Sequence, residues 1–389
     1  MGDTDDQERF QAIHRYQAGE KVRAICSSMD RSKQWFYKWL NRSKSTEAEW
    51  YASQSRSPQA VANRTRQEIE AIVKLVRLEL YNEGLFCGAQ AIAWRMEEQC
   101  IKPIPSLRTI NRILVRHALT HRRTGRYEPK GKKYPSPRAN KPGMVHQTDI
   151  VGPCYLRGPV RFYSLHSVDL ATRCSGISPM SSMGGQGLID SIWAIWQRLG
   201  MPKSQQVDNA MEFYGSPTHP RGMGPLIRLC LPLGIEPCFI PIKEPWRNGV
   251  VEKFNHHWQQ KFLRRVDLHS QVELRRASLA FEHKHNSRYR YSALGGKTPL
   301  ASLTAAGVTL PFPPAEKAPQ LPLSKPKHGR YHAIRFIRQD GRLNLFGESF
   351  PMPSEVIHEY VKATVDVTHQ RLKIYLDTVL IDDLEYRLR

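Results

Sequence analysis

The spacing of apolar residues near the start of the chain predicts three short helices. The first two are predicted at Arg9–Gln17 and Val22–Met29, and Ser32 is placed to cap a third. Two short helices joined by a tight polar turn are typical of a helix-turn-helix, so we predict a DNA-binding domain over residues 1–45. The third-helix residues predicted to face DNA are Lys33, Gln34, Tyr37 and Lys38. A plain three-helix bundle with a tryptophan core is the alternative.

A second helical group is predicted over residues 64–120, after a Ser/Gln/Ala-rich linker at 46–63. Helices at Gln67–Tyr81 and Ala89–Gln99 precede a third helix that Ser106 is placed to cap. This pattern again predicts a helix-turn-helix DNA-binding domain. Its predicted DNA-facing residues are Arg108, Thr109, Asn111 and Arg112. Two such domains in tandem raise the affinity for DNA through effective concentration.

Residues 121–142 combine many basic residues with prolines, so they predict an extended linker that follows DNA phosphates. The predicted phosphate contacts are Arg122, Arg123, Lys130, Lys132 and Lys133. A merely solvated tether is the alternative.

Strand-length apolar runs and helical spacing alternate over residues 143–298, which predicts an α/β layer. The predicted strands are Met144–Val151, Val160–Asp169, Arg173–Pro179, Gln205–Asp208 and Glu236–Ile240. The predicted helices are Leu188–Leu199, one near Leu226–Leu233, one that begins at Asn248-Gly249, and 271–288.

The last part of the chain predicts a small β-barrel of about five strands over residues 328–389, after a linker at 299–327. Asp340-Gly341 predicts a hairpin that joins Tyr331–Arg338 to Arg342–Phe346. The further predicted strands are Val361–Val367, Leu372–Leu376 and Val379–Asp383. An unrelated capping domain is the alternative.

The composition indicates an anionic partner. The chain carries 58 Lys and Arg against 36 Asp and Glu, a formal net charge of +22, and double-stranded DNA is the partner we expect. A solvated basic surface is the alternative. No window reaches the length of an apolar membrane span and the N-terminus is acidic, so we expect neither a membrane partner nor a signal peptide.

The seven cysteines are scattered and form no CxxC pair, which favours reduced thiols in a cytoplasmic protein over a zinc site or a disulfide framework. No Ser/His/Asp or Cys/His signature and no phosphate-binding GK[ST] loop is present, so an ATP-dependent step would need an accessory ATPase.

Three carboxylates are the candidate catalytic residues. Asp149 and Asp208 end predicted strands, and Glu252 lies in the first turn of an amphipathic helix, where the helix dipole favours negative charge. Carboxylates that converge in this way can hold two Mg²⁺ ions about 3.5–4 Å apart for in-line phosphoryl transfer. Mn²⁺ can substitute. Asp169 is interpreted as a structural cap of a turn, and Asn209 as a residue that positions a ligand.

Five segments in this order resemble the catalytic core of the DDE transposase and retroviral integrase superfamily, and in particular bacterial insertion-sequence transposases. They are HQTDIVGP, VDLATR, VDNAMEFYG, PWRNGVVEKFN and LGGKTP, within roughly residues 143–300. The resemblance implies a ribonuclease H-like core in a multidomain chain, with Asp149, Asp208 and Glu252 as catalytic residues and metal ligands. It also implies cleavage at the 3′ ends of a mobile element, strand transfer into target DNA, at least a dimer on DNA, and a place near the bacterial nucleoid.

The family's common spacing would place the third acid at Glu244 rather than at Glu252. We assign it to Glu252, because Pro245 keeps Glu244 out of a helix, whereas Glu252 follows the Gly-Val-Val start. A Gly/Pro-rich loop insertion at 215–225 accounts for the extra length. The helix residues that could reach DNA are Lys253, Asn255, His256, Gln259 and Lys261, and a polar solvated face is the alternative for most of them.

Two alternatives to a transposase stay open at this stage. One is a sequence-specific DNA-binding regulator that has lost catalysis, and the other is a ribonuclease H-like nuclease without strand transfer. The three acids argue against the first, and the tandem DNA-reading domains argue against the second.

Overall fold

The computed structural model describes residues 2–45, 49–53, 65–120, 134–158 and 160–389. It divides into two compact units, residues 1–66 and residues 67–389, which are described separately below.

The first unit is a three-helix domain with helices α1 (Gly2–Gln17), α2 (Val22–Ser28) and α3 (Lys33–Ser43). Its core includes Ile13, Ile25, Phe36 and Trp39. The Ser32 hydroxyl accepts a hydrogen bond from the Trp35 N–H at 3.1 Å, which caps α3 as predicted. The three predicted helices are therefore confirmed, and α1 begins earlier than the apolar pattern indicates.

The second unit begins with helices α4 (Gln67–Asn82), α5 (Ala89–Glu98) and α6 (Leu107–Arg116), and Ser106 caps α6 as predicted. These helices share one apolar core with the α/β part of the chain, rather than forming a free-standing module. The Tyr289 hydroxyl donates to the Gly84 carbonyl at 2.6 Å, and the Phe86 ring contacts Tyr289 and His257 edge-on. The turn after α4 is therefore seated on the α/β part.

Five strands and five helices form the α/β part. The strands are β1 (Val145–Tyr155), β2 (Arg161–Asp169), β3 (Ser175–Met180), β4 (Ser204–Val207) and β5 (Glu236–Phe239). The helices are α7 (Gln186–Leu199), α8 (Met211–Tyr214), α9 (Pro225–Cys230), α10 (Gly249–Lys261) and α11 (Gln271–Arg288).

The strand order in this part of the sheet is β3-β2-β1-β4-β5. The first three strands form an antiparallel meander, and β4 and β5 run parallel to β1. This mixed sheet is consistent with a ribonuclease H-like core, so the predicted α/β class of this part of the chain is confirmed. Among the described helices, none has the length and apolarity needed to cross a membrane.

The predicted linker at 299–327 has structure of its own. It begins with helix α12 (Pro299–Ala306), and its later residues pack on α7. The Trp193 indole N–H donates to the Ala315 carbonyl and the Gln186 amide donates to the Pro319 carbonyl, each at 3.0 Å. Its Pro-rich composition therefore reflects a segment bound along a helix rather than a free tether.

The C-terminal strands are β6 (Arg330–Phe336), β7 (Arg342–Leu345), β8 (Glu348–Pro351), β9 (Tyr360–Asp366), β10 (Arg371–Leu376) and β11 (Val379–Glu385). β6 pairs with β5 in parallel, so β9, β10 and β11 continue the core sheet to nine strands. The predicted hairpin between β6 and β7 is wrong, because β7 pairs with β8 and β6 pairs with β9. A separate small barrel is not confirmed, since these strands satisfy the backbone groups of the β5 edge instead.

We expect a fragment of residues 67–389 to unfold cooperatively, because α4, α5 and α6 share one apolar core with the α/β part. A fragment of residues 134–389 should be less thermally stable and should bind a hydrophobic dye, because it exposes the apolar surface under Phe86. Calorimetry and dye binding on the two fragments measure this difference. Equal stability of the two fragments would show that the helices contribute little to the core.

Candidate active site

The sheet register brings the two predicted aspartates together. Gln147 on β1 is the register partner of Gln206 on the adjacent parallel strand β4. Side chains alternate between the faces of a strand with a period of two, so Asp149 and Asp208 follow these glutamines on one face of the sheet. Adjacent strands lie about 4.8 Å apart. The two carboxylates therefore stand side by side, with Asp208 directly after β4 and Asp149 in the middle of the longer strand β1.

Helix α10 packs against this face and carries Glu252 in its first turn. The helix buries Val251, Phe254 and Trp258. Asn255 lies one turn after Glu252 on the same side of the helix, and its amide donates to Asp149 Oδ2 at 2.7 Å. The predicted DNA contact by Asn255 is therefore wrong, because Asn255 is buried and bonded to the first aspartate.

His166, on the adjacent strand β2, supports the contact between Asn255 and Asp149. It is the register partner of Asp149 on β2, and its Nδ1 atom lies 2.7 Å from Asn255 Oδ1. Burial lowers the pKa of His166 to about 4, so its imidazole is neutral at pH 7. The strand pair and the helix are thus joined through one histidine, one asparagine and one aspartate.

Burial raises the pKa of all three acids, and Asp149 is also affected by the charges of the other two. Burial raises the pKa of Asp149 to about 6, and the negative charges of Asp208 and then Glu252 add to the effect. Burial also raises the pKa of Asp208, with a smaller contribution from the charge of Glu212, and burial raises the pKa of Glu252. A divalent cation beside these groups would offset the cost of ionisation, because it favours their ionised forms.

The donor set fits Mg²⁺ by its chemistry, because all three groups offer hard carboxylate oxygens. In the part of the chain that the structure describes, no group of three or more His, Cys, Asp or Glu side chains is arranged to hold a metal ion by itself. Mg²⁺ is commonly held by one or two carboxylates together with substrate phosphates and waters, rather than by an all-protein cage.

Glu244, the alternative third acid, forms contacts with Arg247 and Tyr360. Its carboxylate lies 3.0 Å from Arg247 Nε and accepts a hydrogen bond from the Tyr360 hydroxyl at 2.9 Å. Pro245 starts a single turn of 3₁₀ helix at Pro245–Asn248, which leads into α10. Glu244 is thus the partner of Arg247, whereas the charge of Glu252 acts on Asp149.

Two further residues singled out in the sequence have structural roles. The Asp169 carboxylate accepts hydrogen bonds from the Thr172 N–H and hydroxyl, each at 2.7 Å, so its predicted role as a turn cap is confirmed. The Asn209 amide donates to the Ile240 carbonyl at 2.7 Å, and its oxygen accepts from the buried Arg335 guanidinium at 2.8 Å. Asn209 thus holds the loop after Asp208 to the neighbouring strands.

The predicted DNA-facing residues of the first helical domain are exposed on α3. These residues are Lys33, Gln34, Tyr37 and Lys38.

On α6, Arg108, Asn111 and Arg112 are exposed and line a shallow groove with Arg116. Thr109 is only half-buried, and its hydroxyl lies 2.9 Å from the Ser106 hydroxyl within the helix cap. The predicted contacts Arg122, Arg123, Lys130, Lys132 and Lys133 lie outside the described residues.

Sequence reasoning missed the residues that hold the acids in place: Gln147, His166, Gln206 and Asn255. One signal was available, because each aspartate is preceded by a glutamine at the same distance, in Gln147-Thr148-Asp149 and Gln206-Val207-Asp208. His166 carried no such signal, since its partner lies on another element.

Replacing Asp149 by Asn removes a carboxyl whose pKa of about 6 in the folded protein exceeds the value of about 3.9 in an unfolded chain. The wild-type protein therefore loses stability as the pH rises through this window and stays destabilised above it. Without divalent cations, we expect Asp149→Asn to raise the free energy of unfolding by about 1–2 kcal/mol at pH 7.5, and by much less at pH 4.5. Denaturant unfolding at the two pH values measures the change. The same gain at both pH values would contradict the raised pKa.

Comparisons with known proteins give one family match and a set of structural similarities. Residues 3–49 match the family described as a homeodomain-like domain. A search of curated proteins found no match.

Among solved structures, the chain is similar to the HTLV-2 integrase catalytic core domain in complex with magnesium, with 18% identity and a TM-score of 0.33 over 43% of this chain and 99% of that one. It is similar to the simian T-cell lymphotropic virus intasome in complex with PP2A regulatory subunit B56 gamma, with 15% identity and a TM-score of 0.38 over 80% and 96%. It is also similar to the catalytic core domain of BIV integrase, with 17% identity and a TM-score of 0.31 over 42% and 96%. Residues 3–49 are therefore a homeodomain-like domain, which precedes in sequence an α/β unit whose mixed sheet is consistent with a ribonuclease H-like core.

Proposed function

We propose that the chain is a DNA transposase of the DDE transposase and retroviral integrase superfamily. It binds the terminal repeats of a mobile element, cleaves at the 3′ ends and joins those ends to target DNA. The observation that carries this proposal is the placement of Asp149 and Asp208 side by side on one face of a mixed sheet, with Glu252 in the first turn of the helix that packs on that face. A fold alone does not define a function, but a carboxylate cluster of this kind is suited to phosphoryl transfer.

Recognition of DNA is assigned to the exposed faces of the two helical groups. The homeodomain-like domain presents α3, and the second group presents Arg108, Asn111 and Arg112 on α6. The net charge of +22 favours binding to the phosphate backbone of double-stranded DNA. Two element ends must be held together for joining, so the active form on DNA is at least a dimer.

The catalytic step is assigned to Asp149, Asp208 and Glu252, which would hold two Mg²⁺ ions, or Mn²⁺ in their place. When bound at such a cluster, the two ions supply Lewis-acid stabilisation of the attacking and leaving oxygens. The residues of the chain orient this site, because Asn255 holds one oxygen of Asp149 and the Ile150 N–H holds the other. Lys253 and His256 are exposed on α10 beside Glu252, where they can contact DNA phosphates.

The test of the reaction compares wild type, Glu252→Gln and Glu244→Gln with DNA from the ends that flank the gene, a plasmid target and Mg²⁺. We expect Glu252→Gln to reduce cleavage and joining to background while it binds DNA as wild type does, because only a metal ligand is lost. Glu244→Gln should join ends, since Glu244 is paired with Arg247 and Tyr360. A gel that resolves nicked ends and joined products gives the answer.

Inactive Glu244→Gln together with active Glu252→Gln would move the third acid to Glu244 and leave the reaction intact. A wild-type protein that binds the ends but neither cleaves nor joins them, with Mg²⁺ or with Mn²⁺, would favour a DNA-binding regulator. Cleavage without joining would favour a nuclease.

The recognition surface of α6 has its own test. Arg112→Ala should weaken DNA binding and lower the slope of log K against log salt by roughly 1 for each lost phosphate contact. Lys74→Ala is the matched control, because Lys74 is an exposed cation on α4 of the same helical group. Titrations at several salt concentrations measure both slopes, and an equal loss in the two variants would place the DNA elsewhere.

A further inference from the structure

Three buried carboxamides lie behind the first turn of α10. We refer to Gln147, Gln206 and Asn248 as the amide bracket; they are 5%, 2% and 2% exposed. Gln147 and Gln206 are register partners on β1 and β4, and each precedes one of the two aspartates by two residues. The bracket therefore lies between the strands that carry Asp149 and Asp208 and the helix that carries the third acid.

The two glutamines bind the main chain at the start of α10. The Nε2 groups of Gln147 and Gln206 donate to one acceptor, the Arg247 carbonyl, at 3.2 and 3.1 Å. The Oε1 atom of Gln147 accepts hydrogen bonds from the Val250 and Val251 N–H groups at 3.1 and 3.2 Å. One side chain on β1 thus satisfies two of the helix's first N–H groups, which have no partner within a helix.

Asn248 occupies the N-cap position of α10, but its side chain makes no cap hydrogen bond. Its amide instead donates to the Thr148 carbonyl at 3.1 Å, and its oxygen accepts from Gln206 Nε2 at 3.3 Å. The residue that would usually cap the helix is therefore tied to the sheet, and Gln147 supplies the cap from the sheet.

We infer that Gln147 is a positioning residue for Glu252, and that Gln206 supports it. This inference rests on the proposed function, because it concerns the placement of a carboxylate needed for that reaction. Glu252 follows directly after Val251. The hydrogen bonds from Gln147 to the Val250 and Val251 N–H groups therefore fix the position of the Glu252 backbone relative to Asp149. A displacement of about 1 Å at a reacting centre can cost about 10²-fold in rate.

Gln147 acts through the helix and not on DNA. Its oxygen is occupied by two main-chain N–H groups, its nitrogen donates to a main-chain carbonyl, and the side chain is buried. Apolar packing of α10 alone is not directional, whereas hydrogen bonds from adjacent strands resist sliding of the helix along the sheet.

The test compares Gln147→Met with Gln205→Met in the full chain. Gln205 is also a buried carboxamide on β4, but it accepts from the Trp196 indole N–H at 3.2 Å and donates to the Thr148 hydroxyl, on the side of the sheet that faces α7. Both variants therefore lose one buried amide of equal size, and only Gln147→Met loosens α10. Gln206→Met is a milder variant, which removes donors but no acceptor of the helix N–H groups.

We expect Gln147→Met to lower the joining rate at saturating DNA by about 10²-fold, with DNA affinity within twofold of wild type. Gln206→Met should lower the rate by about tenfold, and Gln205→Met should keep the wild-type rate. Thermal unfolding shows whether each variant is folded at the assay temperature. If Gln147→Met is unfolded there, the joining rate of Gln206→Met tests the inference instead. Equal losses of joining rate in Gln147→Met and Gln205→Met would overturn the inference. So would a Gln147→Met protein that is folded and joins DNA at the wild-type rate.

A second measurement does not depend on activity. Amide hydrogen exchange over residues 247–255 should become about tenfold faster in Gln147→Met and stay unchanged in Gln205→Met. If the wild-type protein joins no DNA but exchange changes in this way, the proposed function fails while the placement of α10 by Gln147 stands. Unchanged exchange in Gln147→Met would overturn the inference whatever the activity of the wild type.

Discussion

The parallel pairing of β1 with β4 is the constraint on which the rest of the site depends. It sets Gln147 beside Gln206 and, two residues later, Asp149 beside Asp208 on one face of the sheet. Burial and mutual repulsion then raise the pKa of Asp149, so the cluster is costly to ionise without a cation. Grouped carboxylates with raised pKa values are more common at functional sites than elsewhere in proteins.

The second consequence of the pairing is the placement of α10. Its first turn is bonded to Gln147, the residues just before it are bonded to Gln147 and Gln206, and its next turn is bonded to Asp149 through Asn255. The helix is therefore fixed to the strands by directional hydrogen bonds at two levels, while its apolar residues provide the packing energy. A buried polar network of this kind specifies one geometry more sharply than apolar contact alone.

The C-terminal strands also form hydrogen bonds with the segments that follow Asp208 and precede α10. Arg335 of β6 binds Asn209 beside the second aspartate, and Tyr360 of β9 binds Glu244 before α10. This arrangement is possible because β6 pairs with the β5 edge, which would otherwise leave backbone groups unpaired. The helices α4 to α6 extend the same unit by sharing its apolar core.

Local chemistry in the sequence was enough to predict the caps at Ser32, Ser106 and Asp169, most helix and strand positions, and the α/β class with three candidate acids. These features depend on neighbours within a few residues, so their signals lie in short segments. Tertiary structure alone decided the continuation of the core sheet by the C-terminal strands and the burial of Asn255. It also decided the shared core of the second helical group and the binding of α10 by Gln147. Each of these features depends on which strand edge or apolar face from a distant part of the chain is available for pairing or packing. The spacing of residues within a short segment does not predict such long-range contacts.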